Sequence, residues 1–246
     1  FWSLYRAIKT SQKKYFFLSG LISGLLPMIH THSFLSFVII ALVWFIYYFL
    51  KADDKLNYIF QWMALVLPAF FLSIPQLIYW TFPQSFSGGY LRLMPGWANQ
   101  GDLWPWFWIK NTGLFFIILL LALFYPKNRL KSFYFPAIVL FVLAELIVFQ
   151  PWAWDNIKIF FVWYMFSVIF VASYLEQIIQ KISKKSWRAL FVGIVVGICI
   201  LSGTFSLIRE AVSSIRLFSI DDLKVAEFVQ QHTPADAIFL TSDFHN

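Results

Sequence analysis

Long apolar segments alternate with short polar clusters along most of this chain, up to about residue 209. About 20 consecutive apolar residues cross the roughly 30 Å hydrocarbon core of a bilayer as a helix. The strict polar and apolar alternation of a transmembrane barrel is missing from the sequence. The pattern therefore predicts an all-α polytopic membrane protein with about seven spans, at residues 15–29, 33–50, 56–80, 105–125, 133–149, 159–174 and 187–208.

The composition changes after Arg209. Ser219, followed by two acidic residues, is typical of a helix N-cap, and predicts an amphipathic helix through about His232. Residues 237–241 are typical of a strand. We therefore expect a fragment of a longer protein with two parts, a transmembrane helical domain over 1–209 and the start of an extracytoplasmic α/β or α+β domain over 210–246.

The composition supports a membrane protein. Hydrophobic residues make up 60% of the chain and charged residues 13%, against roughly 45–50% and about 25% in soluble proteins. The net charge of +7 comes from basic clusters at the ends of apolar segments, which indicates membrane topology rather than a nucleic-acid partner. A lone cysteine, Cys199, excludes an intramolecular disulfide.

The lysines and arginines predict which side each loop faces. If the seven spans alternate, one side collects thirteen of these residues, and the other side's connections hold Arg92 and Lys158, with Lys110 at a helix start. The basic side is cytoplasmic by the positive-inside rule. We therefore expect four segments to be extracytoplasmic, namely the turn at His30–His32, the loops 81–104 and 150–158, and the C-terminal tail. The thirteen residues are Arg6, Lys9, Lys13, Lys14, Lys51, Lys55, Lys127, Arg129, Lys131, Lys181, Lys184, Lys185 and Arg188.

Two helix features bear on packing. Ser19, Gly20, Ser23 and Gly24 form a small-residue face that lets a second helix approach closely, and the glycines at 193, 197 and 203 form a similar pattern. Two prolines, at 68 and 75, should kink the third span.

His30 and His32 are predicted to lie in a tight turn between the first two spans. A spacing of two residues places them on opposite sides of a helix, so they do not form an i, i+4 metal pair. On a turn they could converge on one ligand. A polar interfacial turn and a contact with substrate or phosphate both remain open, and no metal-ligand spacing is visible anywhere in the chain.

Glu145 lies inside the predicted fifth span, where a carboxylate normally faces a cavity or a partner. Lys110, near the start of the fourth span, is its natural partner, and Asn111 and Asp102 lie nearby in sequence. A structural ion pair and a substrate-binding role are both open for this group.

The bridge over 150–158 separates two apolar segments and concentrates polar and aromatic residues. Indole rings stack on sugars, carboxylate and amide groups bind hydroxyls, and a lysine can hold a phosphate. We therefore expect a lipid-phosphate sugar to bind here, although the same residues would also suit a transporter. The candidate binding residues of the bridge are Trp152, Trp154, Asp155, Asn156 and Lys158.

Four segments, at 24–32, 107–113, 152–158 and 237–246, resemble segments of poorly characterised bacterial membrane proteins of the GT-C class of glycosyltransferases. The resemblance covers most of the chain. It implies a membrane glycosyltransferase of the bacterial inner (plasma) membrane. Such an enzyme would take a sugar from a polyprenyl-phosphate donor in the lipid bilayer and pass it to an acceptor whose identity stays open.

The resemblance also implies where the chemistry lies. The catalytic carboxylate of that class lies in the first outer loop, whereas the turn at His30–His32 holds no acid. We therefore expect the catalytic residue upstream of Phe1. Asp155 and Asn156 would orient the donor or acceptor, with Lys158 and the histidines near the phosphate. A divalent metal assists some members of the class, which leaves metal dependence open. The alternatives are a transporter or flippase of a lipid-linked or amphiphilic substrate, and an assembly protein.

Overall fold

A computed structural model describes residues 1–85, 91–99, 101–150, 152–214 and 218–239. Over these residues the chain is helical, with one short antiparallel ladder. It divides into two compact units, Phe1–Cys199 and Ile200–Asn246, each of which is described by itself. The first unit contains every candidate site residue named above.

The elements follow one another along the chain with short connections. The helices of the first half are α1 (Trp2–Thr10), α2 (Lys13–Gly24), α3 (Leu26–Phe49), α4 (Lys55–Gln76), a π-helical turn (Leu77–Thr81) and α5 (Phe82–Ser85). The elements that follow are β1 (Arg92–Leu93), α6 (Trp104–Thr112), α7 (Leu114–Phe124), α8 (Lys131–Leu146), β2 (Ile147–Val148), a 3₁₀ turn (Ala153–Asn156), α9 (Ile157–Ile179), α10 (Lys185–Val212) and α11 (Ile220–His232).

Three continuous helical segments are long and apolar enough to cross a membrane: Leu26–Phe49, Lys55–Thr81 and Ala153–Ile179. Two interrupted pairs raise the number to five if each pair counts as one span. These pairs are α6 with α7, and Lys185–Leu201 with Gly203–Val212. The structure thus shows a helical protein with three to five candidate spans among its described residues, fewer than the seven predicted. The predicted spans at 15–29 and 133–149 correspond to shorter helices, α2 with 12 residues and α8 with 16.

The small-residue face of α2 packs directly against α4, as predicted. Ser19, Gly20, Ser23 and Gly24 are all buried. A Cβ atom at Gly20 would lie 2.3 Å from the carbonyl oxygen of Leu65, and one at Gly24 would lie 2.7 Å from a side-chain carbon of α4. Only glycine permits this close approach. The similar pattern in α10 does not act in this way, because no atom of the described residues lies within 4 Å of a Cβ built at Gly193 or Gly197.

The predicted turn at His30–His32 is instead a kink within α3. His30 has extended backbone angles (φ −162°, ψ 93°), whereas helical structure resumes directly after it. Gln76 stabilises the neighbouring chain, since its amide oxygen accepts a hydrogen bond from the Met28 N–H at 2.8 Å and its amide nitrogen donates to the Gly24 carbonyl at 2.9 Å. The end of α2, the start of α3 and the end of α4 are therefore tied together.

The core of the first unit lies between α3, α8 and α9 and is largely aromatic. The Tyr134 ring stacks on Phe170 with centroids 4.3 Å apart. Its hydroxyl lies 2.7 Å from the Ser167 hydroxyl and accepts a hydrogen bond from the Trp163 indole at 2.9 Å. Every polar group in this cluster therefore has a partner, so α8 and α9 are held in a fixed register. The bridge between these two helices starts from that rigid base.

In the second unit, the predicted N-cap is confirmed. Ser219 and Asp222 form a reciprocal capping box at the start of α11. The apolar face of this helix does not pack against other described residues, and none of its residues is buried. The predicted strand at 237–241 is not formed over 237–239, and residues 240–241 lie outside the described part of the chain.

Candidate functional site

A cavity of about 560 Å³ lies where two helices depart from regular geometry at the same level. On one side α3 is kinked at His30, and on the other the Leu77–Thr81 turn is π-helical directly after Pro75. Irregular backbone within apolar helices is tolerated where it lines a cavity, and π-helical turns are frequent at functional sites. The polar residues that line the cavity are Thr31, His32, Thr81 and Gln150, and its apolar lining includes Met28, Leu35, Trp80 and Phe149.

The kink brings the two histidines together. The His30 and His32 rings have centroids 5.2 Å apart, so the side chains converge, as the turn hypothesis required. The Nδ1 atom of His30 is used locally, since it lies 2.8 Å from the Ser33 hydroxyl and accepts from the Ser33 N–H. The Nε2 atom of His32 is buried and has no hydrogen-bond partner among the described residues. His32 is thus the histidine available to a ligand in the cavity.

Asp155 and Lys158 lie beside this pair. They form an ion pair at 3.0 Å, and each side chain is a little over one third exposed. Lys158 and Asp155 both act electrostatically on the His32 ring, with opposite signs, and His30 acts in the same sense as Lys158. The structure therefore joins two predicted groups, the histidines and the 150–158 bridge, at one place. Gln150, the residue that begins the bridge, lines the cavity itself.

Asn156 has a different position from the one predicted. It is fully buried, and its amide nitrogen donates to the carbonyls of Ala144 at 3.0 Å and Ile147 at 2.7 Å. Its amide oxygen accepts from the Phe149 N–H at 3.2 Å. Because these three bonds occupy the side chain, Asn156 does not contact a substrate. It is a positioning residue that ties the end of α8 to the start of α9.

Trp97 also holds the bridge in place. This residue has a positive φ of 43°, a backbone conformation that costs about 1–3 kcal/mol in a residue other than glycine. Its ring packs 4.7 Å from Phe160, and its indole donates to the Ala153 carbonyl at 2.6 Å. The short ladder between β1 and β2 adds to this attachment. The segment 91–99 thus holds the 3₁₀ turn that presents Asp155.

Glu145 and Lys110 do not pair, contrary to the prediction. Lys110 forms an ion pair with Asp102, while the buried Glu145 carboxylate accepts from the Trp108 indole at 2.7 Å. Asn111 donates to the Phe107 carbonyl within its own helix at 2.7 Å. None of these four polar residues is among the residues lining the cavity. The second oxygen of the Glu145 carboxylate is buried and has no hydrogen-bond partner among the described residues.

The two tryptophans of the bridge are exposed, with 73% of Trp152 and 62% of Trp154 accessible. They are free to contact a ligand or the membrane interface. Sequence reasoning missed Trp80, Thr81 and Gln150 as lining residues. The signal for Gln150 was its place at the start of the bridge. The signal for Trp80 and Thr81 was their position five and six residues after Pro75.

Within the described residues, no group of three or more His, Cys, Asp or Glu side chains could hold a metal ion. The arrangement consists of one histidine that lines a cavity between two helices long and apolar enough to cross a membrane, and of one cation and one carboxylate on the bridge that begins at the cavity's Gln150. Such a site can hold an anionic or hydroxyl-rich head group by hydrogen bonds. No family model, curated protein or solved structure matches this chain.

Proposed function

We propose that this protein is a membrane glycosyltransferase that moves a sugar from a polyprenyl-phosphate donor to an acceptor on the extracytoplasmic face. The observation that carries the proposal is that one cavity is lined by His32 and by Gln150, which begins the bridge that holds the Asp155–Lys158 ion pair. The histidine and the bridge are distant in sequence. The segments that bring them there are candidate membrane spans. A substrate with a polar head and a lipid anchor suits such a position.

The chemistry of the three side chains fits a sugar phosphate. Lys158 would hold the phosphate as a point charge, which a flexible ammonium does well. The Nε2 atom of His32 would hydrogen-bond a phosphate oxygen or a sugar hydroxyl. Asp155, fixed by its ion pair with Lys158, would accept from hydroxyl groups. The exposed rings of Trp152 and Trp154 would stack on the sugar.

In the proposed reaction, an acceptor hydroxyl oxygen attacks the anomeric carbon. The bond between that carbon and the phosphate oxygen breaks, and its electron pair leaves with the lipid phosphate. Lys158 stabilises the negative charge that this oxygen gains. The acceptor proton passes to a general base. We assign Asp155 an orienting role instead, because its carboxylate is already engaged in the ion pair with Lys158.

One observation favours a transporter or flippase as the second candidate. The helix α3 is kinked at His30, and α6 and α7 meet at a bend of 115°. Discontinuous helices commonly form the substrate sites of transporters. In that case the cavity would bind the same lipid-linked or amphiphilic head group and release it intact on the other side of the bilayer.

The test uses the full-length protein in vesicles that contain a polyprenyl-phosphate hexose. We expect Lys158→Met to weaken lipid binding roughly tenfold, the lower end for a charge-assisted hydrogen bond, because Lys158 is partly exposed. Lys224→Met is the matched control, since Lys224 forms an ion pair with Asp221 at the same spacing and the same 3.0 Å distance. The control should bind normally.

The two candidate functions give different products. A glycosyltransferase releases free polyprenyl phosphate and a glycosylated acceptor, whereas a flippase moves intact donor between leaflets. Equal binding by Lys158→Met and the wild-type protein would contradict the assignment of the site. If the vesicles show movement of the donor between leaflets but no release of free polyprenyl phosphate, the glycosyltransferase proposal is wrong and the flippase proposal takes its place.

A further inference from the structure

A groove of about 590 Å³ follows the crevice between α3 and α4. Its lining is almost wholly apolar and includes Phe34, Val38 and Ala41 on α3 and Val66, Ala69 and Ile74 on α4. Val38 and Val66 are 43% and 44% exposed, so the rim is open to the side. Both helices belong to the three continuous candidate spans, so this opening faces the bilayer if they cross it.

The groove and the cavity of His32 follow the same crevice on successive helical turns. On α3, Thr31 and Leu35 line the cavity. Phe34 and Val38, each three residues after one of them, line the groove. Opposite them, Leu77 lines the groove and Trp80 lines the cavity, again three residues apart. Residues at i and i+3 are neighbours on a helix surface. The polar cavity therefore lies directly beside the apolar groove.

The dimensions suit a hydrocarbon chain. The groove runs along α4 from Ile59 to Leu77, a length of about 27 Å at 1.5 Å per residue. This length approaches the roughly 30 Å thickness of the hydrocarbon core. Small residues such as Ala41 and Ala69 give the groove its depth, and Ser23 and Ser73 lie at the end nearer the cavity.

We infer that the groove between α3 and α4 binds the hydrocarbon chain of the lipid whose polar head occupies the cavity of His32. This inference rests on the proposed function, since it takes the same ligand as its starting point. A chain that enters sideways between Val38 and Val66 keeps its apolar surface in contact with apolar side chains. Its head then lies beside His32 and Lys158. The protein would therefore distinguish lipids by the length of their chains as well as by their heads.

The experiment compares two probes with the same phosphate head, a long polyprenyl phosphate and a short-chain prenyl phosphate, on the full-length protein in detergent. Val38→Trp fills the groove from its rim. Val168→Trp is the matched control, because Val168 is also 43% exposed but does not line the groove. Ligand-induced changes in melting temperature give the dissociation constants.

We expect the wild-type protein and the control to bind the long chain at least tenfold more tightly than the short one. Val38→Trp should lose that preference and still bind the short chain as the wild-type protein does. As an independent measurement on the unaltered protein, a long-chain probe with a photoreactive group in mid-chain should label peptides of α3 and α4.

Four outcomes would overturn the inference. If both chain lengths bind the wild-type protein equally, or if the label falls elsewhere, the groove does not hold the chain, although the head-group site stands. If neither probe binds, the proposed function fails as well. If Val38→Trp changes the oligomeric state measured by native mass spectrometry and leaves the chain preference intact, the groove is occupied by a second copy of the protein.

Discussion

The contact between α2 and α4 gives the sharpest test of the fold, through the substitution Gly20→Ala. The added Cβ would lie 2.3 Å from the Leu65 carbonyl oxygen and 2.6 Å from a ring carbon of Pro68. The first atom belongs to the backbone of α4 and the second to the rigid ring of a proline within that helix. Neither has much freedom to move, so one helix must shift. Overpacking of this kind costs about 1–3 kcal/mol, and contact with a backbone atom indicates the upper end.

The expected loss is smaller than that contact alone suggests. Alanine is favoured over glycine inside a helix by about 1 kcal/mol, so the net loss for Gly20→Ala is about 2 kcal/mol. In a chain of this size, that corresponds to a fall in melting temperature of about 4–8 °C. Thermal unfolding of the purified protein in detergent, followed by intrinsic tryptophan fluorescence, measures it.

Gly193→Ala is the matched control. This glycine is also helical, but nothing lies within 4 Å of the added carbon in the described residues. The helix propensity alone then acts, and we expect stabilisation by up to about 1 kcal/mol. If Gly20→Ala were as stable as Gly193→Ala, the close packing of α2 on α4 would be wrong, and with it the position of α4 beside the cavity.

Three further predictions concern the ties around the site and the cap of α11. Asn156→Ala should lower stability by about 2–4 kcal/mol, because it leaves two carbonyls and one N–H without their buried partner; an unchanged denaturation midpoint would refute its role. Trp108→Phe should cost about 1–3 kcal/mol, because the Glu145 carboxylate loses its donor, and Glu145→Gln in the same background should recover part of that loss if the charge causes it. The hydrogen bonds from Ser219 lower the pKa of Asp222 below its ordinary value of 3.8. The capping box therefore stabilises α11 fully above pH 3.8 and is lost as the pH falls through the lowered pKa. Amide exchange across the helix should show this loss, and Ser219→Ala should move it to higher pH.

The sequence predicted helical structure well and the number of spans poorly. Apolar segments locate helices because burial and backbone hydrogen bonding act locally. The spans predicted at α2 and α8 are not shown, because the helical part there is shorter than the apolar segment that contains it. The break at His30 was placed correctly, but the pattern did not show whether it would be a turn or a kink. That choice depends on the contacts of Gln76 with Gly24 and Met28, which are distant in sequence.

Only part of the site was predicted, because its other contacts join residues that are distant in sequence. The histidines and the bridge were found because polar and ionisable side chains at the depth of membrane spans are rare and mark candidate sites. The pairing of Glu145 with Lys110 was wrong, because two groups near the same predicted level of the bilayer need not face each other. Asp102 lies closer along the chain and forms the ion pair with Lys110, whereas the Glu145 carboxylate accepts a hydrogen bond from Trp108. The groove left no signal, since Ala41 and Ala69 resemble ordinary core residues in a sequence.

The bend at Gly113 has a consequence for how the protein responds to its membrane. Gly113 adopts φ 63° and ψ −145°, and the 115° bend there turns α6 away from the direction of α7. If α7 runs along the bilayer normal, α6 lies near the surface plane, with the exposed rings of Trp104 and Trp106 at the interface. Through the bond from Trp108 to Glu145, α6 is joined to the end of α8, next to the bridge. The depth of the cavity would then follow the level at which these tryptophans settle. Lipid composition changes bilayer thickness, and it would therefore change the depth of the cavity without any direct contact between those lipids and the site.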